Sequence, residues 1–259
     1  MNIMQCNGAA LRYQIDGKPG RPWLLFANSL GTDLHMWDAQ AQWFGAHYRV
    51  LRYDTRGHGG SSAPAGPCTL DQLGADALAL LDALAIDRAH VCGLSMGGMV
   101  AQWLAVHAPQ RVATLTLANT APRIGTAHGW RDRAAQVRAA GMDGVADGAA
   151  ARWFTPAWTA HNPHTARALV QGLRGADAEG YAACCEALAM ADLTAAIAVI
   201  AAPTLIVAGR HDAVTTVADA EAMAQAIAGA RVVVLDAAHI SNIEAEHAFN
   251  LALRDFLRA

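Results

Sequence analysis

The pattern of apolar and polar positions predicts strands and helices that follow one another through the first half of the chain. Residues 11–15 alternate between apolar and polar side chains, as a half-buried edge strand does, and leucines recur at helical spacing over residues 70–84. Further elements are predicted as strands at residues 22–27, 48–53, 90–94 and 112–118 and as a helix at residues 96–107. Connections long enough for helices favour a mostly parallel sheet that is flanked by helices.

The alternation stops between about residues 122 and 188, where the patterns are helical and no stretch predicts a strand convincingly. It resumes with strands predicted at residues 204–208 and 231–235 and with helices predicted at residues 217–227 and 243–257. We therefore expect an α/β core formed by residues 1–121 and 189–259, interrupted by a helical cap at residues 122–188.

Composition and charge exclude several classes of protein. A chain of 259 residues fits one large domain, or one domain with an insertion, and 54% hydrophobic against 16% charged residues is too apolar for a disordered chain. The formal net charge of −3 argues against a nucleic-acid-binding protein, which needs a basic face to bind phosphates.

Targeting signals and cysteine chemistry are not evident. Residues 1–16 lack the basic cluster and apolar run of a secretory peptide, and the apolar residues 195–208 are interrupted by Pro203 and fall short of the roughly 18 needed to span a bilayer. The five cysteines are odd in number and lack C-x-x-C spacing. We expect neither a disulfide framework nor a thiolate metal site, and we expect a cytoplasmic location.

The strongest motif is Gly-Leu-Ser-Met-Gly at residues 93–97, between a predicted strand and a predicted helix. This is the context of a nucleophile elbow, a sharp turn in which side chains two positions either side of the nucleophile would clash. The glycines at positions 93 and 97 fit that requirement, and Ser95 is the predicted nucleophile. At the start of the helix, the amide of Met96 is predicted to face a developing oxyanion.

A serine nucleophile requires a base, and the base requires an acidic partner. His239 follows the predicted strand 231–235 in a loop of small residues, and Asp212 follows the predicted strand 204–208. All three residues follow predicted parallel strands, at the edge where ligands bind in open α/β sheets, and their chain order is that of α/β-hydrolases. Asp212 as a solvated turn residue stays open, because Asp236 is also close to His239 in the sequence.

A second oxyanion donor is expected from the loop after the strand 22–27, which reads Asn-Ser-Leu-Gly-Thr at residues 28–32. The backbone amide of Leu30 is the candidate. Many α/β-hydrolases carry His-Gly where this chain has Asn28 and Ser29. The change of side chain need not matter, because the donor is a backbone amide. A plain polar turn is the alternative.

Three other features carry less information. The sequence Gly57-His58-Gly59 lacks the third glycine of a dinucleotide fingerprint and predicts a tight turn. His161 and His164 are separated by a proline that spoils the helical spacing of a metal pair, so we expect surface histidines. In the cap, arginines and tryptophans would ordinarily form solvated faces and core, yet such a cluster over a nucleophile would suit a small acidic substrate.

Six segments together resemble the 3-oxoadipate enol-lactonase family of the α/β-hydrolase superfamily. Four of them lie in the core and two in the cap, and they read NSLGTD (28–33), LRYDTRGHG (51–59), CGLSMGG (92–98), DAAHISNIE (236–244), NTAPRIGTAHGW (119–130) and RWFTP (152–156). The core segments mark the superfamily only, whereas the cap segments select the lactonases.

The resemblance implies an α/β-hydrolase fold with the helical cap inserted after the sixth strand, and hydrolysis of the enol-lactone to 3-oxoadipate without metal or cofactor. It assigns the residues by role: Ser95, Asp212 and His239 as catalytic triad, Leu30 and Met96 as oxyanion amides, and Trp130, Arg133 and Trp153 as substrate-binding residues. The expected partner is a small acidic lactone, not nucleic acid or membrane, and the oligomeric state stays open. The alternatives are a general carboxylesterase, a cofactor-free perhydrolase, or a binding protein that keeps the fold without turnover.

Overall fold

The structure, a computed structural model, describes residues 2–258, whose strands form one eight-stranded sheet in the order β1-β2-β4-β3-β5-β6-β7-β8. The strands are β1 (Asn2–Cys6), β2 (Ala9–Asp16), β3 (Trp23–Ala27), β4 (Arg49–Tyr53), β5 (Ala89–Leu94), β6 (Val112–Ala118), β7 (Thr204–Gly209) and β8 (Arg231–Leu235). Strands β3 to β8 run parallel to their neighbours among themselves, whereas β1 and β2 pair antiparallel at one edge. The predicted fold class, a mostly parallel sheet with flanking helices, is confirmed.

The helices outside the region predicted as the cap are α1 (Asp38–Phe44), α2 (Leu70–Ala83), α3 (Met96–His107), α10 (Val217–Ala226), α11 (Ser241–Glu244) and α12 (Glu246–Leu257). Helix α3 packs on α2 and on strands β3, β5 and β6, while α12 packs on α1, β7 and β8. The central strands are buried almost throughout, which explains why they read as continuous apolar runs.

Each of the seven predicted strands corresponds to an observed strand, but the pattern missed β1. Its residues are mostly exposed, so no apolar alternation marks them. The strand pairs with β2 through a tight turn at Asn7 and Gly8, both of which have positive φ (48° and 78°). Asn-Gly is the preferred sequence for such a hairpin turn.

The single helix predicted at residues 243–257 is wrong. The chain forms the short helix α11 and then α12, separated at Ala245, whose φ of −115° and ψ of 46° are not helical. The Glu244 carboxylate accepts hydrogen bonds from the amides of Ala238 and Thr155, which hold α11 against the loop before it. The short helix α1 was also not predicted.

Six α-helices lie between β6 and β7, in the segment predicted as the cap, and we call these six the cap helices or the cap. They are α4 (Ala127–Ala140), α5 (Asp143–Asp147), α6 (Ala149–Trp153), α7 (Pro156–His161), α8 (Pro163–Arg174) and α9 (Ala178–Met190). Helix α4 packs along α9, and α8 packs against α5, α6 and α7. The amide of Leu193 donates to the carbonyl of Pro122 over 2.9 Å, so the two ends of this helical segment meet.

The helices of the described part of the chain are short, and its cysteines are unpaired. None of the helices there is long and apolar enough to cross a membrane. All five cysteines are buried with free thiols, and the adjacent Cys184 and Cys185 lie on α9 as small core side chains.

Candidate active site

Ser95 lies at a strained turn between β5 and α3. Its φ of 56° and ψ of −118° are unusual for a residue with a side chain. A Cβ atom at Gly93 would overlap the carbonyl of Gly97, and one at Gly97 would overlap the carbonyl of Ala27 on β3. The turn therefore requires glycine at both positions, as the motif predicts, and the adjacent strands hold the serine at the carboxyl edge of the sheet.

Asp212 lies in the loop after β7 and accepts five hydrogen bonds. Its Oδ1 accepts from the amides of Val214 (2.8 Å) and Thr215 (3.1 Å), and its Oδ2 accepts from the Thr215 hydroxyl (2.9 Å) and the Asn119 amide group (3.0 Å). The fifth contact joins Oδ2 to Nδ1 of His239 at 2.8 Å. Burial alone would raise the pKa of Asp212, but the contact with His239 and the other donors hold that pKa below its usual value.

His239 is buried, with 3% of its surface exposed, in the loop after β8. Because the ionised Asp212 can only accept, Nδ1 of His239 carries a proton, and Nε2 is left for the substrate side. Ser95 and His239 line the same cavity. Within residues 2–258 no hydrogen bond joins their side chains, and such contacts commonly tighten when substrate binds.

Asp236, the competing acid in the sequence, lies elsewhere. Its carboxylate contacts Nε2 of His211 at 2.8 Å, and both side chains are exposed to solvent. Asp212 is thus the carboxylate that the structure brings to His239.

Asn119 is a site residue that sequence reasoning missed. It follows β6 with a φ of 44°, and its side-chain amide donates to Asp212 and to the carbonyl of Ala238 (3.1 Å) while accepting from Ser241. It therefore joins the loops that carry the acid and the histidine. A polar residue directly after a predicted strand, at the same sheet edge as Ser95, was the available signal.

Three amides of the loop after β3 point to acceptors inside the protein. The amide of Ser29 points to the sulfur of Met36, that of Gly31 donates to His58, and that of Thr32 donates to the carbonyl of Ser29. Among the residues that the structure describes, the Leu30 amide has no acceptor, and Leu30 lines the cavity beside Ser95. Met96, the other predicted donor, is the first residue of α3, where helical amides lack intrahelical partners.

The side chain of Asn28 connects the same loop to the core of the protein. Its side chain donates to the carbonyl of Tyr53 over 2.7 Å and accepts from the indole of Trp37 over 3.1 Å. The side chain that stands in place of the histidine of many relatives is therefore a buried link between the loop, β4 and the short 3₁₀ turn at residues 34–37.

The cavity over Ser95 has a volume of about 290 Å³, and residues of the helices between β6 and β7 form one of its walls. The structure brings the three predicted substrate-binding residues, Trp130, Arg133 and Trp153, into its lining. The guanidinium of Arg133 lies 4.9 Å above the Trp130 ring, and the indole of Trp130 donates to the carbonyl of Ile124 over 2.6 Å. The ring thus gives Arg133 a fixed platform.

Two arginines line this cavity, because Arg152 lies in its wall together with Arg133. Within the described residues neither Arg133 nor Arg152 forms an ion pair, and Arg152 donates to the carbonyl of Val145 over 2.6 Å. Burial and the positive charge of Arg133 lower the pKa of Arg152, while burial raises the pKa of the neighbouring Tyr181 to about 12. The cap side of the cavity is therefore positively charged, with a neutral phenol beside it.

Two further arginines and the predicted surface histidines lie apart from this cavity. Arg131 contacts the sulfur of Met190 on the exposed side of α4, and Arg210 is exposed after β7. His161 and His164 belong to α7 and α8. No group of three or more histidine, cysteine or acidic side chains in the described part of the chain is arranged to hold a metal ion.

Comparisons with known proteins agree with the geometry. The family described as alpha/beta hydrolase fold matches residues 22–161, and the family described as TAP-like protein matches residues 178–259. Together with the sheet order and the strained serine, the first match defines the chain as an α/β hydrolase.

The chain is 48% identical to 3-oxoadipate enol-lactonase 2 and 42% identical to 3-oxoadipate enol-lactonase 1 of Acinetobacter baylyi, over 99% of this chain and 96% of each relative. The crystal structure of the enol-lactonase from Burkholderia xenovorans LB400 superposes with a TM-score of 0.98, at 46% identity and full coverage of both chains. The chain belongs to the 3-oxoadipate enol-lactonase family and is a hydrolase that acts on carboxylic ester bonds.

Proposed function

We propose that the protein hydrolyses 3-oxoadipate enol-lactone to 3-oxoadipate, in the β-ketoadipate pathway of aromatic compound degradation, through an acyl-enzyme formed on Ser95. Similarity to the A. baylyi enol-lactonases supports the substrate. The hydrogen bond between His239 and Asp212, beside a serine held at a strained turn, supports the mechanism. A cytoplasmic location and the division into core and cap at residues 122–188 stay predictions.

In the first half of the reaction, Oγ of Ser95 attacks the lactone carbonyl and its proton passes to Nε2 of His239. The positive charge on the imidazole is stabilised by Asp212, whose lowered pKa keeps it ionised. The carbonyl oxygen becomes an oxyanion that accepts hydrogen bonds from the amides of Leu30 and Met96. Collapse of the tetrahedral intermediate breaks the ring C–O bond, and the leaving oxygen takes the proton from His239 as an enol.

In the second half, a water molecule gives its proton to His239 and attacks the acyl carbon. The intermediate collapses, Ser95 recovers its proton from His239, and the acid is released. The enol formed by ring opening tautomerises to the ketone of 3-oxoadipate. No step requires a metal ion or a cofactor.

The free carboxylate of the substrate requires a local cation, because the protein has a net charge of −3. Arg133 is the proposed partner, since its guanidinium faces the cavity from a fixed position over Trp130. Arginine offers two parallel donors to one carboxylate. The volume of about 290 Å³ lies at the small end of ligand pockets, which suits a small lactone, and Trp153 would contact its ring.

Turnover by the purified protein of a panel of enol-lactones and simple neutral esters tests the proposal. Hydrolysis is measured by ultraviolet absorbance. We expect a much higher kcat/KM for the carboxylated enol-lactone than for the neutral esters. The rate should be unchanged after dialysis of the protein against EDTA. A preference for neutral esters would support the carboxylesterase alternative instead. Loss of activity with EDTA and recovery with a divalent ion would contradict the serine mechanism.

A further inference from the structure

His58 is a buried imidazole to which the proposed mechanism gives no role. It lies between Gly57 and Gly59 in the tight turn after β4, with 2% of its surface exposed. Its Nε2 lies 2.9 Å from the amide nitrogen of Gly31, and its Nδ1 lies 3.2 Å from the carbonyl oxygen of Arg56.

These two contacts define the protonation state of the ring. A carbonyl oxygen can only accept, so Nδ1 carries a proton, and an amide N–H can only donate, so Nε2 carries a lone pair. Only the neutral tautomer with hydrogen on Nδ1 satisfies both. Burial lowers the pKa of His58, and the carboxylates that face it, Asp54, Asp177 and Asp33, oppose that effect only in part.

The Gly31 amide belongs to the loop that carries the proposed oxyanion donor. On one side of Leu30, the carbonyl of Ser29 accepts from the amide and hydroxyl of Thr32. Because a trans peptide is planar, the Leu30 N–H points away from that carbonyl. On the other side, the bond from Gly31 to His58 fixes the next peptide plane. Thr32 and His58 thus hold the two peptides that flank Leu30.

The cap closes over the same place. The φ of Gly31 is 79°, and a Cβ atom there would overlap Leu173 and crowd Tyr181. The backbones of Gly57 and Gly180 also pack directly against each other, so α9 lies on the turn that contains His58. The loop is therefore held between His58 in the core and the cap helices.

We propose that His58 is a positioning residue which, as a neutral acceptor for the Gly31 amide, aims the Leu30 amide at the oxyanion. This inference rests on the proposed hydrolysis at Ser95. It gives His58 no contact with substrate; it acts through the loop at residues 28–32.

Two substitutions distinguish whether His58 acts by accepting the hydrogen bond from Gly31 or only by filling space. His58→Leu fills the site but cannot accept, and we expect kcat for the enol-lactone to fall about 10–100-fold with KM within about 2-fold, since losing an oxyanion donor outright costs about 10²–10³. His58→Gln places an acceptor near the position of Nε2 and should restore kcat to within about 5-fold of the native enzyme. His90→Leu, at the far end of β5, is the control and should leave kcat unchanged.

A pair of inhibitors tests the oxyanion contact directly. A small boronic acid that forms a tetrahedral adduct on Ser95 needs both amides, whereas the product 3-oxoadipate does not form such an adduct. We expect His58→Leu to raise the inhibition constant of the boronic acid by the same factor by which it lowers kcat. The inhibition constant of the product should be unchanged. Equal weakening of both, a native kcat in folded His58→Leu, or failure of His58→Gln to restore kcat would each overturn the proposal.

If His58→Leu does not fold, nitrogen NMR of the native protein decides. The His58 resonances, assigned by their absence in His58→Gln, should show a protonated Nδ1 and an unprotonated Nε2 at neutral pH; a protonated Nε2 would overturn the inference. Failure of the native enzyme to turn over the lactone or to bind the boronic acid would instead contradict the proposed function.

Discussion

The core and the cap hold their functional groups by different means. In the core, Ser95, Asp212 and His239 lie in short loops at strand ends, and buried hydrogen bonds fix them from several sides. In the cap, Arg133 and Trp130 project from a helix and are held chiefly by stacking on each other. Backbone geometry thus determines the position of the proposed reacting groups, while side chains on helices form the far wall of the cavity.

This difference predicts that the core determines the rate of the reaction and that the cap determines which substrates are accepted. The two proposed oxyanion donors, Leu30 and Met96, are backbone amides that no side-chain change removes, and the serine is fixed by glycines that cannot be replaced. The cap wall consists of side chains that can change without disturbing the sheet. We therefore expect core variants to slow every ester alike and cap variants to discriminate between substrates.

The largest effect should come from Ser95→Ala. Removal of the proposed nucleophile is expected to lower kcat about 10⁴–10⁶-fold on the enol-lactone and on a neutral ester alike. Both rates are measured by absorbance, and thermal unfolding checks that the variant is folded. Because alanine at this strained backbone position is no larger than serine, we expect a similar Tm. Full activity in a folded Ser95→Ala protein would end the assignment of Ser95.

Arg133→Ala tests the cap side of the comparison. A charge-assisted hydrogen bond contributes about 1.5–3 kcal/mol, so KM for the carboxylated lactone should rise about 10–150-fold. Hydrolysis of a small neutral ester should be nearly unchanged, because the proposed triad and oxyanion amides lie in the core. Steady-state kinetics on the two substrates give both values.

Arg131→Ala is the matched control for Arg133→Ala. Arg131 lies on the same helix but points away from the cavity towards Met190, so its loss should change neither KM. Equal losses on both substrates in Arg133→Ala would indicate a structural role for Arg133. If neither substrate were affected, Arg152, the other arginine in the cavity lining, would become the expected partner of the substrate carboxylate.

Thr215→Val tests the core side with a smaller change. It removes the hydroxyl that donates to Asp212 over 2.9 Å but keeps the shape of the side chain. Four donors remain, so we expect a loss of about 1 kcal/mol, or about 5-fold in kcat, equal on the lactone and the neutral ester. A loss confined to the carboxylated lactone would contradict the separation of core and cap.

The same variant changes the response of stability to acid. Burial would raise the pKa of Asp212, yet the contact with His239 and the other donors hold it below the unfolded value. A lowered native pKa stabilises the fold above the unfolded pKa of about 3.9, and that stability is lost as the pH falls through the native pKa. Thr215→Val raises the native pKa towards the unfolded value, so its Tm should fall less between neutral and acid pH. The Tm difference between the variant and the native protein, measured by thermal unfolding, should therefore shrink as the pH drops below about 4.

The sequence predicts the buried strands and the serine turn far better than the exposed edge of the sheet and the short helices. Parallel strands that are buried on both faces appear in the sequence as continuous apolar runs. The strained serine turn admits only glycine at positions 93 and 97, so it too is visible as a local motif. The exposed edge strand β1 and the short helix α1 leave no such marks and were missed. The break at Ala245 depends on contacts of Glu244 with distant residues, which no local pattern contains.

The contacts that support the site were equally hidden. Asn119 reaches Asp212 across 93 positions of the chain, and Gly31 reaches His58 across 27. The sequence gives each residue type, but the partner follows only from the order of the strands, which brings their loops to one edge. For this reason Gly57-His58-Gly59 read as a tight turn and nothing more.

The smallest effect is expected from an ion pair that joins two cap helices. Arg138 on α4 donates through Nε and Nη2 to Glu179 (2.8 and 2.7 Å) and through Nη1 to Glu186 (2.5 Å), both on α9, from a half-exposed position. Exposed pairs contribute about 0.2–1 kcal/mol each and are screened by salt. Arg138→Ala should lower the free energy of unfolding in urea by no more than about 1 kcal/mol, with kinetics unchanged.

Arg111→Ala in the core provides the contrast that makes this loss informative. Arg111 pairs with Asp82 but also donates to the backbone carbonyls of Asp87 (2.8 Å) and Ile86 (2.6 Å), which its removal leaves without these partners. We therefore expect a larger loss than for Arg138→Ala, and one that survives in 1 M salt, whereas the Arg138 difference should fade there. A salt-resistant loss at Arg138 that equals or exceeds the loss at Arg111 would mean that the cap, too, is held by buried polar contacts.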